Sequence, residues 1–152
     1  MTKKFIILLF LLISSCGFSP IYTKNQKPIT FAKVEITGEK DVVFDLEKKL
    51  NLIVNEKDER GYTLKAQIFQ TSDNSAVDNR GVATEENLKI NFAFQVFDKK
   101  NIAIYQDNIF KEKKISITDN MNNNQQIRNA EKRILLDRMV DTINITLRIN
   151  LN

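Results

Sequence analysis

The chain has 152 residues, with 23 basic and 19 acidic side chains, ten phenylalanines, one cysteine and no tryptophan or histidine. One domain of that length buries about 70% of its unfolded surface, so a hydrophobic core suffices to hold it. Lys3 and Lys4 precede the cysteine, and without them 21 basic groups face 19 acidic ones, too even a balance for the clustered basic face of a nucleic-acid groove.

The first residues, "MTKK", are positively charged. "FIILLFLLI" (Phe5–Ile13) follows as an unbroken apolar run, and then "SSC" ends at Cys16. A charged start, a short apolar stretch and small residues form a secretory signal. The run is too short for a membrane span, which needs about 20 residues. Ile13, Ser14, Ser15 and Cys16 are similar to a bacterial lipobox, in which the thiol receives a diacylglycerol, cleavage leaves the cysteine first, and its new amine is acylated. Lipidation also accounts for a lone cysteine where disulfides would otherwise be expected. Gly17, where an Asp would mark inner-membrane retention, favours the outer membrane. Residues 1–15 thus read as a lipoprotein signal peptide, 16–28 as a lipid-anchored tether with Pro20 and Pro28, and 29–152 as one domain.

Within the domain, "ITFAKVEITG" (Ile29–Gly38) reads as a strand. Asp41 to Glu56 reads as a helix, with Val43, Leu46, Leu50, Ile53 and Val54 at helical spacing and Asp41 as its N-cap. Tyr62 to Thr71 alternates as a second strand. Ser72 to Gly81 is turn chemistry. Asn87 to Asp98 alternates most strictly, with Leu88, Ile90, Phe92, Phe94 and Val96 on one face. After a turn at Asp98–Asn101, Ile102 to Thr118 returns as a long strand. Hairpin-length links make these three strands an antiparallel meander. Asp119 to Gln126 is a polar break. A helix follows from Ile127 to about Leu147, with Leu136, Met139, Val140, Ile143 and Leu147 on one side. Residues 143–152 also fit a period of two, so helix and strand both remain open there. The order is β-α-β-β-β-α. The expected fold class is α+β: a two-layer sandwich of a four-stranded mixed sheet with both helices on one face, its first two strands parallel.

Catalytic material is sparse. With no histidine, and no cysteine beyond Cys16, common zinc sites and Ser-His or Cys-His nucleophile systems are absent. No glycine-rich phosphate loop occurs. Asp98, Asp107 and Asp119 read as solvated surface carboxylates. "KEKK" (Lys111–Lys114) reads as a solvated charge run, with anionic lipid heads as the alternative. The expectation is a binding or scaffolding protein with no catalytic residue, metal or cofactor.

The mature start "CGFSPIY" (Cys16–Tyr22) resembles the LptE family of lipopolysaccharide-assembly lipoproteins. "NRG" (Asn79–Gly81), ahead of Thr84, Glu85 and a long alternating strand, is similar to that family in order, as is "LDRMVDTI" (Leu136–Ile143) in the last helix. The resemblance implies a non-enzymatic plug inside an LptD-like outer-membrane β-barrel. Such a protein helps assemble the barrel and deliver lipopolysaccharide, and is itself held by lipidated Cys16 on the periplasmic side of the outer membrane. It implies Arg80 as a candidate contact for lipopolysaccharide or partner. "NMNNNQQ" departs from the family by lacking a lysine near the start of the last helix. Two other readings stay open: an auxiliary lipoprotein of an ABC-type envelope lipid transporter, and a general periplasmic binding or scaffold lipoprotein.

Overall fold

The structure is a computed structural model that describes residues 29–57 and 61–151. Cys16, the signal and the tether lie outside the described residues. The elements are β1 (Thr30–Phe31), β2 (Lys33–Thr37), α1 (Lys40–Leu50), β3 (Ile53–Val54), β4 (Thr63–Val77), β5 (Ala83–Phe97), β6 (Ala103–Ser116) and α2 (Met121–Leu151).

The main sheet has the order β2-β4-β5-β6. β2 runs parallel to β4, and the other pairs are antiparallel. Both helices cover one face, so the two-layer α+β reading holds. The alternation in β5 is satisfied throughout: Leu88, Ile90, Phe92, Phe94 and Val96 are all buried. They meet Leu64, Ala66 and Ile68 of β4 and Leu135, Leu136, Met139, Val140, Ile143, Leu147 and Leu151 of α2 in one core. Leu46 and Leu50 of α1 close its remaining side.

Several boundaries differ from the sequence reading, among them the start of β5, at Ala83 rather than Asn87. The first strand is two, and α1 ends at Leu50 rather than Glu56. Asn51 adopts a left-handed conformation (φ 45°) and its N–H donates to Glu47 O at 3.1 Å, which stops the helix. Ile53 and Val54 then pair with Thr30 and Phe31 in a small parallel sheet, where β-branched residues fit well. The α1 N-cap is Glu39, and Asp41 instead sits in the first turn, where its charge still suits the positive helix end.

β4 continues to Val77 through residues that looked like a turn, because Ser72 and Asp73 find cross-strand partners in Glu86 and Lys89. A bulge near Ser75 absorbs one residue before the reversal. The polar break also shrinks. Asn120 caps α2 by accepting the Asn123 N–H at 3.1 Å, and the helix begins at Met121. Buried Asn124 accepts the Thr118 N–H at 3.0 Å and donates to Thr118 O at 2.6 Å, locking the link from β6. Residues 143–151 are helical, since a helix lets Ile143, Leu147 and Leu151 all reach the core.

Candidate functional site

The β4–β5 reversal builds the tip that carries Arg80. Asp78 Oδ1 accepts the N–H groups of Arg80 (2.8 Å) and Val82 (3.0 Å). Its Oδ2 accepts Arg80 Nε at 2.9 Å and Nη2 at 2.8 Å, a two-point fork. Gly81 completes the turn at φ +78°. The Val82 N–H, then the Arg80 side chain and N–H, hold the Asp78 carboxyl below its ordinary value. The Arg80 side chain is 74% exposed, so it reaches solvent with much of its charge already matched. An outside anion would meet the Nη1 edge of the guanidinium. The candidate residue is therefore presented at an extremity, but as half of an ion pair.

A second basic residue near this end was missed. Arg128 of α2 donates from Nε to Glu86 Oε2 at 2.5 Å, and Ser72 Oγ donates to Glu86 Oε1. Burial opposes the charged carboxylate of Glu86. The Ser72 and Arg128 hydrogen bonds, with the fields of Arg128 and Lys132, outweigh burial and hold its acidity below the ordinary value. The signal was in the sequence: Glu86 falls in phase with Leu88 and Ile90, and a carboxylate on a core stripe needs a partner. The lysines of "KEKK" do not form one patch. Lys111 and Lys113 share the parity of core residues Ile109 and Ile115, while Lys114 lies on the opposite face.

The open sheet face is polar. It carries two ion pairs: Lys33 with Glu35 at 2.5 Å, and Lys89 with Asp73 at 2.7 Å. Lys65 stands 5.1 Å over the Phe97 ring and also acts on Glu35. Glu112 accepts from Asn87 Nδ2 at 3.2 Å, and Gln95 donates to Gln106 at 3.3 Å. By register, four cations (Lys33, Lys65, Lys89, Lys114) and four carboxylates (Glu35, Asp73, Glu85, Glu112) share this face. Its formal charge is zero. A shallow hollow of about 640 Å³ lies over Ala93, lined by the amides Gln67, Gln95 and Gln106 and by the charged Glu35, Lys65 and Asp107. Beside it, Phe69, Asn91 and Phe110 form one row across three strands, with both rings about half exposed. The side-chain oxygens of Asn87 and Asn91 are closed to solvent and have no hydrogen-bond partner among the described residues.

Among the described residues no group of three or more acidic, histidine or cysteine side chains could hold a metal, and no helix is long and apolar enough to cross a membrane. This architecture is the two-layer α+β fold found in bacterial lipoproteins. It matches a minor lipoprotein from Acinetobacter baumannii at a TM-score of 0.60 and 18% identity, covering 82% of this chain and 95% of that one. Rare lipoprotein B from Shewanella oneidensis matches at 0.59 and 12%, covering 81% and 98%. A lipoprotein B from Nitrosomonas europaea matches at 0.62 and 13%, covering 78% and 81%. The sequence itself matches no family model and no curated protein.

Proposed function

We propose that this chain is an outer-membrane lipoprotein of the LptE type, which plugs and helps assemble an LptD-like β-barrel in lipopolysaccharide transport and is not an enzyme. The observation that carries the reading is the polarity of the domain. Ile29, where the tether joins, lies in a hollow with Leu147 and Arg148 near the end of α2. The Arg80 turn lies at the other end: Ile117 donates to Thr84 O beside that hairpin, and α2 begins there. The 31 residues of α2 span ~46 Å at 1.5 Å per residue. A bilayer with its headgroups is about 40–45 Å thick. With Ile29 at the inner leaflet and α2 along the membrane normal, Arg80 would stand at the level of the outer leaflet, where a lipopolysaccharide phosphate could meet it. A polar lumen suits the polar open face. The lipoprotein names of the structural neighbours agree with the lipobox.

Purification of the acylated protein from outer membranes tests this. A large β-barrel should be retained with it. Recovery of inner-membrane transport subunits alone would overturn the reading. Cys16→Ala should leave a longer, unlipidated precursor; normal acylation and sorting of that variant would remove the lipobox from the argument.

A further inference from the structure

We infer that the hollow over Ala93 is a binding site for a neutral, hydroxyl-rich saccharide. The inference goes beyond the barrel reading and does not rest on it. It starts from one small residue in a surface of large ones. Ala93 lies at the centre of the open face, between Gln67 of β4 and Asn108 of β6. Phe69, Asn91 and Phe110 form the next row on one side, and Lys65, Gln95 and Gln106 the next row on the other. Strands favour β-branched and aromatic residues, and cross-strand side-chain pairs stabilise a sheet. An alanine here forgoes a pair with each neighbour, and what it leaves is space. Two strand spacings set the backbones of Gln67 and Asn108 ~9.6 Å apart across it. The hollow, about 640 Å³, falls within the size range of small-molecule sites, about 300–1,000 Å³.

The lining fixes the class of ligand, because its charged groups already have partners. Glu35 pairs with Lys33 at 2.5 Å, and Lys65 stands over the Phe97 ring. Asp107 accepts from the Tyr105 hydroxyl at 3.1 Å and from the Asn108 N–H at 2.8 Å. Two carboxylates against one ammonium give the lining a net negative charge, which disfavours phosphate and other anions. What is left over is amide. The Gln67 and Asn108 side chains make no hydrogen bond among the described residues. Gln95 donates to Gln106 Oε1 at 3.3 Å, which leaves Gln95 Oε1 and the Gln106 N–H groups for an outside partner. Each amide presents an acceptor oxygen beside two donors, which matches a hydroxyl that both gives and takes. An apolar ligand would strip these groups of water and return no hydrogen bond. A polyol returns one for each hydroxyl.

Phe69 and Phe110 supply the remaining element. They are 48% and 51% exposed, on the row beside the hollow. Rows on one face are ~7 Å apart, so a ligand seated over Ala93 reaches a ring with one end. A pyranose has an apolar C–H face and a hydroxylated rim, and ring-against-phenyl with hydroxyl-against-amide uses both. The cleft between α1 and α2 is the competing site. It sets Glu39, Asp41 and Asp45 against Lys132 and Arg133, charges of both signs that select no ligand class.

Binding to the full acylated chain, held in a detergent without a sugar headgroup, tests the inference in two arms. In one, free neutral tetrasaccharides of glucose, galactose and N-acetylglucosamine are titrated while the side-chain amide signals of Gln67 and Asn108 are followed by nuclear magnetic resonance. In the other, vesicles with and without a neutral glucosyl diacylglycerol are compared for capture of the protein. Saturable binding is expected in at least one arm; the first assigns a free glycan, the second a lipid-borne one. Ala93→Gln fills the hollow and should weaken binding roughly tenfold or more. Gln67→Ala removes one exposed amide partner and should weaken it roughly threefold to tenfold. Both variants should keep the wild-type melting temperature, and Arg80→Ala should bind as the wild type does. No binding in either arm, binding that survives Ala93→Gln, or displacement of the sugar by inorganic phosphate overturns the inference. Each of those results leaves the barrel reading standing, and failure to recover a barrel leaves the saccharide site standing.

Discussion

Arg128→Met isolates what the Glu86 cluster contributes. The substitution removes the guanidinium 2.5 Å from Glu86 and leaves a carboxylate on a residue only 8% exposed. Ser72 still donates to it, and Lys132 still acts on it. Losing one partner of a buried pair costs about 3–5 kcal/mol. The Arg128 side chain is 31% exposed, so water screens part of the pair, and ~2–3 kcal/mol is the expectation. At roughly 4 °C per kcal/mol for a domain of this size, the melting temperature at pH 7 falls by about 8–12 °C. The pH dependence has a definite sign. In the wild type the folded-state acidity of Glu86 lies below its ordinary value, so its contribution is full above the unfolded pKa and is lost as pH falls through the folded one. In the variant burial is less opposed, the pKa rises, and a neutral carboxyl is tolerated. The gap between the two proteins should therefore narrow from pH 7 to about pH 4. Glu86→Gln added to Arg128→Met should recover more than half the loss at pH 7. Thermal unfolding followed by circular dichroism reads all three proteins. A variant that melts within about 2 °C of wild type at pH 7, or a gap equal at both pH values, would refute the argument.

Gly38 and Gly81 should respond to alanine very differently, although both have positive φ. A Cβ at Gly38 (φ +153°) would lie 2.5 Å from Ile68 O, whereas at Gly81 (φ +78°) it meets nothing within 4 Å. Gly81→Ala should cost only the left-handed penalty of about 1–2 kcal/mol, and urea midpoints should place Gly38→Ala well below it. Met139, fully buried beneath the sheet, should lose about 2–5 kcal/mol on change to Ala in the same assay. At the tip, Asp78→Asn keeps an oxygen for the turn N–H groups but releases the charge of Arg80. It should tighten binding of lipopolysaccharide in calorimetry, and Arg80→Ala should weaken it; equal affinities for all three proteins would show that the tip takes no part. Because the face and the tip carry internally matched charges, association with the barrel should slow by less than threefold between 50 and 300 mM salt, in surface-binding kinetics, as expected of an association without strong electrostatic steering (roughly).

What the sequence made legible was burial with a regular period. Leu88 to Val96 alternate because one face of β5 is wholly buried, and that rule runs without exception along the strand. The Arg80 turn was legible too, since its Asp and Gly have few other uses. Boundaries were hidden where local chemistry competed with period. Ile53 and Val54 continued the helical stripe on paper, but the left-handed Asn51 intervened. Ser72 and Asp73 looked like turn residues because their long-range partners, Glu86 and Lys89, are invisible to a local reading. The asparagine run at 120–124 looked structureless for the same reason: Asn120 caps α2 and Asn124 is tied to Thr118. The open face was legible only within single strands, as the polar side of the β5 alternation, because its charge balance appears only when the register of four strands is known.

Both ends of β5 use one turn device, and the contrast between them explains why Arg80 rather than another cation sits at the distal tip. Asp98 accepts the N–H groups of Lys100 (2.8 Å) and Ile102 (2.9 Å), as Asp78 accepts those of Arg80 and Val82. Asn101 takes the left-handed position (φ 61°) that Gly81 takes in the other turn. The third residue is basic in both. A lysine there is a point charge on a flexible stem. The arginine fork instead closes on the same carboxylate that organises the turn, so the backbone that reverses the chain also fixes the guanidinium. The side chain is held in place before any ligand arrives, at the cost of sharing its charge with Asp78. Under the proposed function, recognition by Arg80 would be directional, through the remaining N–H edge, rather than by long-range attraction. The turn thus places that edge at the end of a two-strand arm ~50 Å long, at the opposite end of the domain from Ile29.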